Sequence, residues 1–391
     1  MAKATNGGTG ARRGRIARAL GRVPRWVYLL GALVLALAFP MLNTSGLMGT
    51  IWIRVGIRSL TFVLLALGLN VVMGETGLLN LGYIAFFAVG AYTTAILSSP
   101  PLGYHWPFWS LLLLSTVAAM AFGFLVGLPT LRLRGDYLAI VTLAFGEIVR
   151  TVFLNWRSVT NGPGGVPGIY PPVIFGWVVD KPVEFYYLVL IFVAIVMVLL
   201  TNVKNSRIGR GWNALREDEI AAVHSGIDAT RMKVLAITMS AGVAGLAGCL
   251  FAYYQQFINP TYFVFLQSVI VVCMVALGGM GSIPGAVLGA IVLDSLPEII
   301  RSLFSDWLPG WFGPNVLATW PDWLRTFFTD FDRYRMLLFG IIVVLVVIFR
   351  PEGLLPDAMW RRETHEEDPR EQERTRQGLF DVEEGTQDLE A

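Results

Sequence analysis

The sequence predicts an all-α polytopic membrane protein of about ten transmembrane helices, some of them broken, with a short helix on its cytoplasmic side. Three observations predict it. Of 391 residues, 55% are hydrophobic and only 15% charged, where soluble domains carry about 25% charged residues. Residues 185–203 and 234–251 contain no charge, and a helix of roughly 20 apolar residues crosses a bilayer. Basic residues gather in segments that share one side of the membrane once the spans are counted. In lipid the backbone must pair within its own segment, so helices are expected rather than open sheets.

The membrane domain reads as 26–356, between a basic arm at 1–25 and a charged tail at 357–391 that is too poor in apolar residues to fold alone. The arm carries Lys3, Arg12, Arg13, Arg15, Arg18, Arg22 and Arg25. No small-residue cleavage site follows it, so a retained first helix is expected rather than a secretory signal. Spans are expected at 26–42, 51–73, 77–98, 108–130, 137–157, 184–203, 233–256, 262–280, 285–304 and 334–349, the third and ninth interrupted by glycine and polar residues. With the arm inside, Arg132 and Arg134, the basic loop 204–232, and Arg350, Arg361 and Arg362 also fall inside, and both termini are cytoplasmic. Arg54 and Arg58 oppose this pattern from the outer start of the second span.

Two outer segments stand out. "NGPGGVPGIYPP" (161–172) is too rich in Gly and Pro for helix. "DWLPGWFGPNVLATWPDW" (306–323) has the tryptophans of an interfacial layer, and serves either as a connector or as a docking surface. Cys249 and Cys273 lie in apolar runs and give no disulfide framework. His105, His224 and His365 lack metal-ligand spacing, so no metal is expected.

The most polar stretch in the middle of the chain is "NSRIGRGWNALREDEIAAVHSGIDATRMK" (205–233). If 211–224 is one helix, Trp212, Leu215, Arg216, Glu219, Ile220 and Val223 share a face, Arg216 and Glu219 pair at i,i+3, and Gly226 ends the helix. A face that mixes aliphatic groups with an ion pair suits a protein groove. The alternative is an amphipathic helix lying on the bilayer, which favours a cleaner apolar face.

"NVVMGETGLLNLG" holds Asn70, Glu75 and Asn80 between glycines. It reads either as broken helix lining a cavity or as a tight cytoplasmic turn. "GGMGSIPG" (278–285) has no following lysine and no βαβ context, so a glycine hairpin is expected rather than a phosphate loop. "AGVAGLAG", with Gly242, Gly245 and Gly248, has the small-residue spacing of close helix packing in lipid. Charges within spans are Arg54, Arg58, Glu147, Arg150, Asp294 and Glu298. Each costs about 3 kcal/mol at the centre of a span and needs a partner or water. Glu147 can pair with Arg150 on one helix, and Arg58 is the best partner for Asp294 across the bundle. Asn70, Glu75, Asn80, Glu147 and Asp294 are the candidates for a translocation path.

Several of these stretches together resemble LivM-type permeases, the membrane subunits of ATP-binding-cassette importers for branched-chain amino acids. They are "SRIGRGWNALREDEIAAVHSGIDATRMKVLAITMSAGVAGLAG", "LGLNVVMGETGLLNLGYIAFFAVGAY", "LRLRGDYLAIVTLAFGEIVR", "ALGGMGSIPGAVLGA" and "FRPEGLLP". The resemblance covers roughly residues 55–356. It implies a permease subunit of the plasma (inner) membrane that moves its solute by alternating access. The implied partners are a second LivH-like permease, two ATPase subunits and an external solute-binding protein. ATP and Mg²⁺ are used by those ATPases, and this chain needs no cofactor, has no catalytic residues and binds no nucleic acid. The residues matching the family's ATPase-coupling segment are Arg216, Glu217, Asp218, Glu219, Ile220, Ala221, Ala222 and Gly226. Family members often carry His or Gln where this chain has Tyr83. Urea and amide permeases share most of these motifs, so the solute stays open. An ion-coupled secondary transporter is the rival of a different class, and it leaves the docking segment unexplained.

Overall fold

The computed structural model describes residues 37–40, 50–99, 106–130, 136–174, 176–302, 340, 341, 344, 348 and 353–355. The expected first and tenth spans, the basic arm, the 306–323 segment and the charged tail lie outside these residues, apart from helical residues 37–40, 340, 341, 344 and 348. By internal contacts the chain divides into two units, Met1–Arg54 and Val55–Ala391. What is described of the first is helical.

The described elements are nearly all helical. They run α1 Thr50–Asn70, α2 Ile84–Ser98, α3 Phe108–Thr130, α4 Asp136–Asn155, α5 Pro182–Lys204, α6 Arg207–Glu217, α7 Glu219–His224, α8 Ala229–Gln255, α9 Phe265–Gly278 and α10 Ile283–Ser302. Among the described residues, seven helices are long and apolar enough to cross a membrane, and the fifteen-residue α2 is a shorter apolar one. The chain is an all-α polytopic membrane protein. The third expected span is shorter than 77–98 because polar turn chemistry takes its first residues: Gly77 has φ +70°, and the Asn80 side chain accepts from the Gly82 amide at 3.1 Å.

α1 and α8 form the centre. Of their most apolar stretches 83% and 67% are buried, against 22% for α4. α8 crosses α2 and α3 at backbone distance because its glycines leave room. A Cβ built on Gly90 of α2 would fall on the Gly245 backbone, and one on Gly245 would press into α3 at Ser115 and Ala119. This is the small-residue packing that lipid-embedded helices use in place of hydrophobic drive. Gly90→Val should therefore separate α2 from α8. The expected result is loss of most folded protein in detergent, measured as monodisperse yield, whereas Gly127→Ala, whose Cβ would meet Val234 only at an ordinary 3.8 Å contact, should cost little.

The bundle has a basic end, where residues 204–232 lie, and an opposite end closed by short strands. β1 Val166–Pro167 pairs antiparallel with β4 Phe257–Ile258, and β2 Val173–Ile174 pairs with β3 Trp177–Val178. The Gly/Pro-rich 161–172 stretch is thereby a packed cap. Val166 and Ile169 are buried, Ser99 donates to the Pro167 carbonyl at 2.8 Å, and Asn259 donates to that of Pro163 at 2.7 Å.

A candidate coupling segment and its anchor points

The polar segment begins where α5 ends at Lys204. Ser206 caps α6 by accepting from the Ile208 amide at 3.1 Å. The expected continuous helix over 211–224 is broken at Asp218, which adopts extended backbone (φ −154°, ψ 112°). Its carboxylate accepts from the amides of Ile220 at 2.7 Å and Ala221 at 3.1 Å. An aspartate that satisfies two otherwise orphaned amides starts a helix more favourably than it continues one. α7 then ends at Gly226, whose φ of +86° suits glycine. Asp228 caps α8 through the Arg231 amide at 3.1 Å.

The break rotates the two helices apart, so the expected single face is divided. Trp212 and Leu215 are buried against the membrane domain, and the Trp212 indole donates to the Met232 carbonyl at 2.9 Å. Ile220 and Val223 point outward, 60% and 49% exposed. Glu217, Asp218, Ala221 and Gly226 are exposed with them, while Ala222 is buried. Glu219 binds Lys233, on α8, at 2.7 Å, a partner that the i,i+3 spacing to Arg216 did not indicate. Arg216 donates to the Gly74 carbonyl.

Gly74 belongs to a π-helical turn, Val71–Glu75, that ends α1. This turn is the hub of the basic end. Asn70 accepts from the Gly281 amide at 2.9 Å, Glu75 binds Lys204 at 3.0 Å, and Lys204 also donates to the Gly281 carbonyl. Asn70, Glu75 and Asn80 are all buried. The segment is a π-helical end to α1 followed by turns before α2, and neither the cavity reading nor the turn reading is decided by it. Its polar atoms are spent on neighbouring backbone and on Lys204. A pocket of about 10 Å³, room for roughly one water, remains among Leu67, Asn70, Glu75, Lys204, Trp212 and Ile283. Gly281 itself lies in the glycine hairpin between α9 and α10, with φ +81° after Gly279 at +118°. Leu354 and Leu355 seal that hairpin by donating to the carbonyls of Leu277 and Gly278.

The other candidates lie elsewhere in the bundle. Arg58 Nε contacts Asp294 Oδ1 at 2.9 Å, its guanidinium also reaches the Asp294 carbonyl at 3.2 Å, and Ser59 donates to Oδ2 at 2.6 Å. Arg58 and Asp294 each lie eight residues from the helix end opposite the basic loop, which explains why two long helices bring them level. Glu147 and Arg150 pair along α4 at 3.2 Å. Tyr83 is buried, and its hydroxyl donates to the Ser240 carbonyl at 3.3 Å; the aromatic ring joins α2 to α8 by packing and one hydrogen bond.

Sequence reasoning missed Lys204, Lys233, Ser59 and the Gly281 backbone as partners. Lys204 and Lys233 carried a signal, since each is the first charge at the end of a charge-free run. A backbone group carries none.

The comparisons agree with this architecture. A family model described as branched-chain amino acid transport system / permease component matches residues 51–347. The high-affinity branched-chain amino acid transport system permease protein LivM of Escherichia coli (strain K12) is 39% identical over 85% of this chain and 76% of its own length. Its counterpart from Salmonella typhimurium (strain LT2) is 38% identical over the same shares. The permease protein LivH of Escherichia coli (strain K12) is 27% identical over 75% of this chain and 91% of its own. No solved structure matches. A bundle of apolar helices, tied at its basic end to a capped polar segment and matched along most of its length, belongs to the family of branched-chain amino acid transport system permease components.

Proposed function

We propose that this chain is the translocating permease subunit of an ATP-driven importer for leucine, isoleucine and valine, working by alternating access. One observation carries the mechanical part. Residues 206–226 present an exposed apolar patch at Ile220 and Val223 while anchored to the two most buried spans. Arg216 holds the end of α1, and Trp212 and Glu219 hold the start of α8. A soluble partner that grips Ile220 and Val223 therefore pulls on the centre of the bundle. That partner is one of two ATPase subunits, which would bind and hydrolyse Mg-ATP; this chain contributes no catalytic group. A second, LivH-like permease would complete the path, and an external solute-binding protein would deliver the amino acid. The setting is the plasma (inner) membrane, with both termini cytoplasmic.

The test is reconstitution. The chain, a LivH-like permease and both ATPases are placed in proteoliposomes with the purified binding protein. Uptake of labelled leucine, isoleucine and valine is expected only with ATP and binding protein. Uptake driven by an ion gradient without ATP would favour a secondary transporter, and uptake of urea or amides instead would move the solute class. Cysteines placed at Thr9 and Thr375, in a chain with Cys249 and Cys273 replaced by alanine, are expected to resist an impermeant thiol reagent in intact cells. Labelling of either position contradicts the proposed orientation.

A further inference from the structure

Five buried side-chain polar atoms among the described residues have no hydrogen-bond partner: Tyr92 Oη, Arg150 Nε, Thr238 Oγ1, Ser240 Oγ and Gln267 Oε1. Three of them lie on α2, α4 and α9, which meet around the Tyr92 ring. The Tyr92 ring, on α2, stacks on Phe153 of α4 at 4.2 Å and packs against Phe263, just before α9, at 5.9 Å. Arg150 lies one turn from Phe153, and Gln267 about one turn from Phe263. α4 runs toward the β1–β4 end and α9 runs away from it, so both residues fall on the same side of the Tyr92 ring, nearer the middle of the bundle. Glu147 is one further turn along α4, about 12 Å from that helix's end at 1.5 Å per residue. It is 40% exposed while paired to Arg150.

Orphaned buried polar groups are uncommon and costly, and a half-exposed ion pair at this depth is ill-suited to lipid. Together these groups make a sorted set. Arg150 Nε–H and the Tyr92 hydroxyl offer donors. Gln267 Oε1 and the Glu147 carboxylate offer acceptors. A carboxylate needs the first pair and an ammonium the second.

Resting on the permease reading above, we propose that Tyr92, Glu147, Arg150 and Gln267 bind the zwitterionic head of an α-amino acid during its passage. Its carboxylate is taken by Arg150 and Tyr92, and its ammonium by Glu147 and Gln267. The three unspent atoms are shielded in this conformation, so the site opens when α4 moves against α2 and α9. α4 is suited to move, as the least buried of the seven candidate spans.

The experiment uses the full reconstituted complex with leucine-loaded binding protein, reading leucine uptake and ATP hydrolysis together. Glu147→Gln and Arg150→Gln are each expected to lower uptake about tenfold or more, the effect of losing a charged hydrogen bond, while ATP hydrolysis continues. The swap of Glu147→Arg with Arg150→Glu restores the ion pair but reverses the site, and it should not recover uptake. Tyr92→Phe and Gln267→Leu keep the ion pair and nearly keep the packing, and each is expected to lower uptake several-fold. Recovery by the swap would show a purely structural pair and overturn the proposal. Wild-type uptake in both Tyr92→Phe and Gln267→Leu would show that water alone satisfies these atoms, which also overturns it, and this arm decides the matter if the charge variants fail to assemble. Failure of the wild-type complex to take up leucine would instead strike the permease reading.

Discussion

Glu219→Lys is expected to lower ATP-driven uptake sharply while leaving the membrane domain folded. Glu219 joins the start of α7 to Lys233 of α8 at 2.7 Å, with the two side chains only 30% and 10% exposed. Replacing the carboxylate with an ammonium sets like charges together in a half-buried place and leaves Lys233 poorly compensated. Breaking such a pair costs about 3–5 kcal/mol when buried, and partial exposure reduces that here. The loss falls on the joint, since Trp212 and Arg216 still hold α6 to the bundle. Uptake should drop by about tenfold or more, the equivalent of roughly 1.4 kcal/mol lost from coupling, with ATP hydrolysis retained and yield in detergent near wild type. Adding Lys233→Glu should recover part of the uptake. Full uptake by the single variant would remove Glu219 from the coupling pathway.

The second large effect concerns Arg58 and Asp294. Asp294 is 7% exposed and Arg58 47%, so the two single variants should differ. Asp294→Leu strands a guanidinium that can still turn toward its exposed side. Arg58→Leu strands a buried carboxylate that keeps only the Ser59 hydroxyl, and it should be the worse of the two. Breaking a buried pair costs about 3–5 kcal/mol, whereas replacing both charges with packed apolar groups is often tolerated. The double variant is therefore expected to give more folded protein than Arg58→Leu alone. A double-mutant cycle on folded yield or thermal midpoint measures the coupling. If the double variant is as poor as the sum of the singles, the pair does not hold α1 to α10.

Much of this was legible because hydropathy is a local quantity, summed over a window that one helix fills. Residues 185–203 and 234–251 could be little else than spans, and α5 and α8 contain them. The spacing of Gly242, Gly245 and Gly248 marked a packing face on α8 without naming what it meets. Arg58 and Asp294 were readable as partners by elimination, because few opposite charges lie so far from helix ends. The polar segment stood out by its composition, and the resemblance implied that it is a joint.

Partners depend on helix rotation and on lateral neighbours, which periodicity does not encode. Helical spacing alone put Arg216 and Glu219 in reach of each other. The Asp218 cap, which satisfies two amides at a helix start, breaks the helix between them, and each has a partner that the spacing did not show, Lys233 for Glu219 and the Gly74 carbonyl for Arg216. Trp212 left the outer face because its indole found the Met232 carbonyl, a backbone group with no signature in composition. Asn70 and Glu75 were equally compatible with a cavity or a turn, and their partners Gly281 and Lys204 arrive from the α9–α10 hairpin and α5. The sequence by itself determined which segments enter the membrane and where charge must be compensated, since burial and desolvation act on each residue type wherever it sits. The tertiary structure alone decided which charge meets which, and which polar atoms of Tyr92, Arg150 and Gln267 are left unspent, since hydrogen bonds reach only about 3 Å and segments far apart in the chain must be brought within it.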